Sequence, residues 1–189
     1  MPNHRAEDVL EFWFGSGADY GRRHKRWFEK DAAFDAQIVE RFLPLYEELA
    51  RDTRWLGDGL HCLARIIVLD QFPRQMFRGQ PRAFASDPLA LRAARLALES
   101  HYDAGRLPVE RMFLYLPFEH SEALADQERA CELMAELTVF QETDDALRYA
   151  GAHRDIIRRF GRFPHRNAIL GRASTPEEVE FLRQPGSSF

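Results

Sequence analysis

Apolar residues recur at three- and four-residue steps along most of this chain, the spacing that turns one face of an α-helix toward a core. Val9, Leu10, Trp13 and Phe14 predict a short first helix stopped by Gly15. Phe34, Ile38, Phe42, Leu45 and Leu49 predict a second, with Pro44 inside it as an expected kink. A third is expected from about Leu60 to Phe72, ended by Pro73. Asp87-Pro88 reads as an N-cap followed by proline at the first helical position, opening a helix to about Ser100. Pro108 opens the next, which meets Pro117, and residues 122–139 and 144–160 give two more. Thr175-Pro176-Glu177-Glu178 is a capping box that starts a last short helix. No segment alternates as a strand does. The expected fold class is therefore all-α, one domain over residues 1–184, with residues 185–189 as a tail expected to fray. The spacing shows no fixed 34-residue repeat.

Helical wheels place ionisable residues where apolar ones belong. Leu63, Ile66 and Ile67 mark the buried face of the third helix, and Asp70 continues that face one turn later. Phe113 and Leu116 mark a buried face that reaches His120. In the helix over 144–160, Tyr149, Ile156, Ile157 and Phe160 define the apolar face, with His153 at its centre and Arg154 at its border. Arg74, one turn after Asp70, points the same way if the helix survives Pro73. A buried carboxylate without a partner is too costly, so Asp70 is expected to pair with a histidine or arginine of this set. Each residue alone is ordinarily a satisfied core group. Three coincident anomalies, Asp70, His120 and His153, point to a site with these as candidate catalytic residues.

Charge adds an anion-binding element to this picture. Residues 153–167 hold five arginines (Arg154, Arg158, Arg159, Arg162, Arg166) and two histidines (His153, His165) against Asp155. The arginine fork suits carboxylates and phosphates. The bland alternative is that these arginines pair with the acid-rich segment 119–145 on a neighbouring helix and add little. With 26 basic and 30 acidic residues the net charge is −4, which argues against nucleic acid as a partner. The longest apolar run, 112–118, is far short of the ~20 residues a membrane helix needs, and the N-terminus lacks a signal peptide's apolar segment. Cys62 and Cys131 have no metal spacing, and a cytoplasmic location is expected. Glu119-His120-Ser121-Glu122 offers metal-ligand types without a metal-binding spacing, so neither metal nor other cofactor is expected.

Seven stretches in order resemble the bacterial family called domain of unknown function 924. They are Val9-Leu-Glu-Phe-Trp-Phe-Gly15, Leu69-Asp-Gln-Phe-Pro-Arg74, Arg82-Ala-Phe-Ala-Ser-Asp-Pro88, Phe113-Leu-Tyr-Leu-Pro-Phe-Glu-His-Ser-Glu122, Ala125-Asp-Gln-Glu128, His153-Arg-Asp-Ile-Ile157 and Arg162-Phe-Pro-His-Arg-Asn-Ala-Ile-Leu-Gly171. The resemblance implies antiparallel helix pairs similar to tetratricopeptide-repeat proteins, and no agreed activity. Its polar motif residues fall on Asp70, Gln71, Arg74, Glu119, His120, Glu122, His153, Arg154, Asp155, Arg162, His165, Arg166 and Asn167.

Three readings follow. In the first, the protein binds an anionic small molecule or a peptide carboxylate, with Arg74, Glu119, Arg154, Arg162, His165, Arg166 and Asn167 as ligand-binding candidates and Trp13, Phe72 and Phe163 helping to line the wall. In the second, it is a small hydrolase or lyase using an Asp–His pair with arginines stabilising negative charge. In the third, the polar cluster only locks a scaffold. A histidine paired with Asp70 whose other nitrogen faces an open pocket would favour the enzyme.

Overall fold

The computed structural model describes residues 5–188, and they are all-helical, with no strand among them. The elements are α1 (Ala6–Phe14), α2 (Ala32–Leu49), α3 (Gly59–Ile66), α4 (Phe72–Met76), α5 (Asp87–Glu99), α6 (Pro108–Glu119), α7 (Leu124–Ala135), α8 (Ala146–Phe160) and α9 (Pro176–Phe181), joined by short 3₁₀ turns. Local chemistry explains several starts. Asp31 caps α2 by accepting from the amides of Ala33 and Phe34, and Asp58 caps α3 by accepting from Leu60 and His61. Thr175 and Glu178 exchange the two hydrogen bonds of a capping box at α9. Gly161 ends α8 in the left-handed region at φ 69°, where a glycine costs least.

The core is aromatic at one end. Trp13 is fully buried and packs against Trp27, Phe34, Phe72 and Phe113 at centroid distances of 5.5–6.1 Å. Trp27 donates its indole N–H to the Trp13 carbonyl at 2.9 Å. α6, apolar on every side over 112–118, is buried along nearly its whole length and passes through Pro117 without ending. It packs against α5 and α7, and α7 in turn packs against α8. Residues 120–123 join α6 to α7, and residues 136–145, with a 3₁₀ turn at Gln141–Thr143, join α7 to α8.

The third helix does not end at Pro73. α3 continues through a π-helical turn, Ile67–Gln71, into α4, and proline sits inside the first turn of α4. Proline has no N–H to return to the carbonyl four residues back. That carbonyl, of Leu69, instead accepts from the Ser86 hydroxyl at 2.6 Å, while the Phe72 amide reaches back to Ile67. The wide turn admits the proline and keeps both Asp70 and Gln71 buried. Ser86, not Asp87, occupies the N-cap position of α5, which leaves the Asp87 carboxylate for partners elsewhere. In the tail, Ser187 is buried and donates its hydroxyl to the Leu182 carbonyl at 3.2 Å.

Replacing Ser86 with alanine removes the bond that ties α5 to the π turn. We expect Ser86→Ala to lower unfolding free energy by about 1–2 kcal/mol in urea titration with an unchanged m-value. A neutral result would mean that the Leu69 carbonyl is satisfied without it.

Candidate active site

A buried carboxylate needs strong partners, and Asp70, fully inaccessible to solvent, has three. His120 Nδ1 lies 2.8 Å from its Oδ1, and Gln71 Nε2 donates to its Oδ2 at 2.5 Å. The Arg74 guanidinium stands 3.6 Å from Oδ1 and also hydrogen-bonds the Asp70 backbone carbonyl. Burial raises the Asp70 pKa, but His120, Arg74 and Gln71 together outweigh it and hold the carboxyl well below its usual range. The acceptor-only carboxylate fixes the histidine tautomer with its proton on Nδ1. Burial and Arg74 push the imidazole below its ordinary pKa against the pull of Asp70, so the ring is neutral and Nε2 carries the lone pair.

Arg74 extends the network outward. It makes a two-point ion pair with Asp87, at 2.9 and 3.1 Å, and Asp87 also accepts from Arg166 at 3.3 Å. Arg166 is held between the rings of Phe84 and Phe163, 4.6 and 4.5 Å from their centroids. Its Nε is buried with no hydrogen-bond partner. Burial and the nearby Arg74 lower its pKa to about 10, which leaves it a cation at neutral pH.

Beside this network sits a second buried pair. Glu119 and His153 approach at 3.0 Å between Oε1 and Nδ1, and the same nitrogen lies 2.9 Å from the Tyr149 carbonyl. A carbonyl oxygen only accepts, so His153 Nδ1 carries a proton. Burial and the Asp70 charge push Glu119 up to about 8, while burial pushes His153 down to about 3 against the Tyr149 carbonyl. Both groups are therefore mainly neutral at pH 7. The His120 and His153 rings are 6.4 Å apart, and burial pushes His165 down to about 4.

These groups line one cavity of 660 Å³. Arg74, Glu119, His120, His153, His165 and Arg166 form its polar part, together with Gln71 and Gln75. Gln75 is itself buried, with a carbonyl oxygen that finds no partner. Trp27, Phe28, Met112, Leu116, Met134 and Tyr149 form an apolar part, and Phe84 packs beneath Arg166. Arg23, Lys30 and Arg78 stand on the wall with Asp145. Ser188 of the tail also reaches the cavity. No group of three histidine, cysteine, aspartate or glutamate side chains among the described residues is arranged to hold a metal ion.

The structure thus gathers Asp70, Arg74, Glu119, His120, His153, His165 and Arg166 in or directly behind the cavity. Three other candidates lie elsewhere. Arg154 turns outward, pairs with Asp155 at 2.8 Å and touches Cys131. Arg162 is bound at two points by Glu178, at 2.7 and 2.8 Å, and Asn167 donates to the same carboxylate at 3.3 Å. Trp13, Phe72 and Phe163 are fully buried packing residues and do not line the wall. Wheels missed Asp87, because an acid at a helix start reads as a local cap. They missed Trp27 and Phe28, which lie around a 3₁₀ turn with no helical period.

Residues 9–186 match the family described as bacterial protein of unknown function (DUF924), and the chain belongs to that family. It is also similar to a solved structure, that of the protein of unknown function ATU0120 from Agrobacterium tumefaciens. The two are 42% identical, with a TM-score of 0.83, over 94% of this chain and 96% of that one. No curated protein matches the chain. Among the described residues no helix is long and apolar enough to cross a membrane.

The raised Glu119 pKa has a measurable consequence. In the unfolded chain a glutamate ionises near ~4.3, so between there and about 8 the folded state binds the extra proton and stability falls as pH rises. Glu119→Gln fixes the neutral state and removes this slope. Measured by chemical unfolding, the variant is expected to gain on the wild type steadily from pH 5 to 8. Parallel stability curves would show that Glu119 is ionised in the fold.

Proposed function

We propose that this protein is a small hydrolase or lyase that acts on an anionic substrate by general acid–base chemistry. The observation that carries the reading is the Asp70–His120 pair on a 660 Å³ cavity, with His120 Nδ1 engaged by Asp70 and Nε2 left as the basic nitrogen of a cavity-lining ring. An imidazole oriented in this way takes a proton from water or from a carbon acid through Nε2, and Asp70 stabilises the imidazolium that forms. Glu119, protonated near neutrality and on the same wall, supplies a proton to the leaving group. Arg166, with a donor that has no partner in the protein, is the group best placed to take the substrate's negative charge. Binding an anionic small molecule without turnover uses the same cavity and the same arginine. The proton-transfer pair is what favours the enzyme over that reading.

The test is turnover of a panel of carboxylate-bearing esters, amides and hydroxy acids, followed by mass spectrometry. His120→Asn is expected to slow any product formed by the wild type about 10²- to 10⁴-fold while its thermal unfolding stays cooperative. Unchanged turnover in that variant would remove His120 from the chemistry. Ligand retention without product from any substrate would favour the binding protein.

A further inference from the structure

The cavity changes character along two helices at once. On α6, Met112 and Leu116 face it two turns and one turn before Glu119 and His120 do. On α8, Ala146 and Tyr149 face it before His153. The two helices meet at the Glu119–His153 contact, and on each of them the apolar residues that face the cavity precede that polar contact. Trp27, Phe28 and Met134 add to the apolar wall. Of the three cations on the wall, Arg23 is neutralised by Asp145 at 2.6 Å and Arg78 by Asp35 at 2.6 Å, and Lys30 stands beside them. Arg166 at the polar end shares Asp87 with Arg74, at 3.3 Å, and keeps an unpartnered Nε.

Resting on the anionic-substrate reading, we infer that the occupant is an amphipathic carboxylate, its head group at Arg166 beside His120 and its unbranched or aryl apolar body along Leu116, Met112 and Tyr149. The graded wall fits this class better than a compact polar anion such as phosphate, which would leave the apolar half empty. Its length is bounded by helix geometry. From Met112 to His120 is eight residues, or about 12 Å at ~1.5 Å per residue. An extended chain advances roughly 1.2 Å per bond, since a peptide covers about 3.6 Å in three bonds. From head group to tip the cavity therefore accommodates a chain of about ten carbons.

Calorimetric titration of the full chain with straight-chain carboxylates from four to fourteen carbons, with acetate and inorganic phosphate alongside, tests this. Burying a methylene strengthens binding about fourfold. Affinity is expected to climb by about three- to fourfold per carbon and level off near ten. Ala146→Leu and Met112→Phe, two independent ways to fill the apolar end, should each bring that plateau to a shorter chain. Arg166→Gln should weaken every carboxylate about 10- to 100-fold. Affinity independent of chain length, or phosphate binding as tightly as the longest carboxylate, would overturn the amphipathic occupant and leave the anionic cavity standing. No heat with any anion would overturn the occupant and the anionic reading together. A plateau unmoved by both filling variants would place the chain elsewhere and overturn the assignment.

Discussion

The negative charge of Asp70 is the constraint around which this molecule is arranged. A carboxylate with no solvent contact costs several kcal/mol unless charge and hydrogen bonds surround it. Meeting that need draws His120 from the end of α6, Gln71 from the π turn and Arg74 from α4 to one point. Arg74 is itself largely enclosed and needs a second anion, which Asp87 supplies from the start of α5. Asp87 then holds Arg166. The sequence Asp70, Arg74, Asp87, Arg166 alternates in sign, so each member compensates its neighbour and fixes where the next can stand. Removing one partner would strand another charge in a low-dielectric interior, which is more costly than the pair is worth.

The same interior separates two carboxylates that are close in space. Asp70 is given donors and a cation, and it is held as an anion. Glu119 is given burial and the field of Asp70, and it keeps its proton to about pH 8. One fold thus offers a base-supporting anion behind the cavity and a neutral acid on its wall, the division of labour by environment that acid–base chemistry near neutrality requires. The histidines follow the same logic. His120 has its tautomer set by the anion, whereas His153 is kept neutral by burial and engages the neutral acid.

Helix positions were legible because packing faces repeat. The α2 pattern from Phe34 to Leu49 and the capping box of α9 are both found where the periodicity and the cap chemistry put them. Asp70, His120 and His153 stood out because an ionisable group on an apolar face breaks a regular pattern. The π turn was hidden. Proline after an apolar run reads as a stop, and only a hydroxyl thirteen residues farther along, on Ser86, tells that the Leu69 carbonyl has another donor. The arginines of 153–167 could not be sorted by charge. Arg154 lies at the border of a helical face, where a small rotation decides between cavity and solvent. Past Gly161 the wheel no longer applies, so nothing local distinguishes Arg162, which meets Glu178, from Arg166, which meets the cavity.

The arginines that miss the cavity still shape it. The segment bearing His165 and Arg166 has no long helix to position it, only the 3₁₀ turn Pro164–Arg166. Its geometry is imposed from its two ends. Before the turn, Arg162 is clamped to the buried Glu178, and the Phe163 amide donates to Glu122 at 2.8 Å. After it, Asn167 donates to Glu178, and Arg172 makes a two-point pair with the same Glu122 at 2.7 and 2.9 Å. Glu122 lies in the connection that follows His120, and Glu178 lies in α9. Two carboxylates therefore staple both flanks of a short turn to the elements beside the site. Ion pairs of this partly exposed kind add little stability one at a time. Their value lies in direction: with both flanks fixed, the Arg166 guanidinium is held between Phe84 and Phe163, reaches Asp87 and stands on the cavity wall. The arginine-rich segment is thus a binding group and its mounting in one stretch of chain.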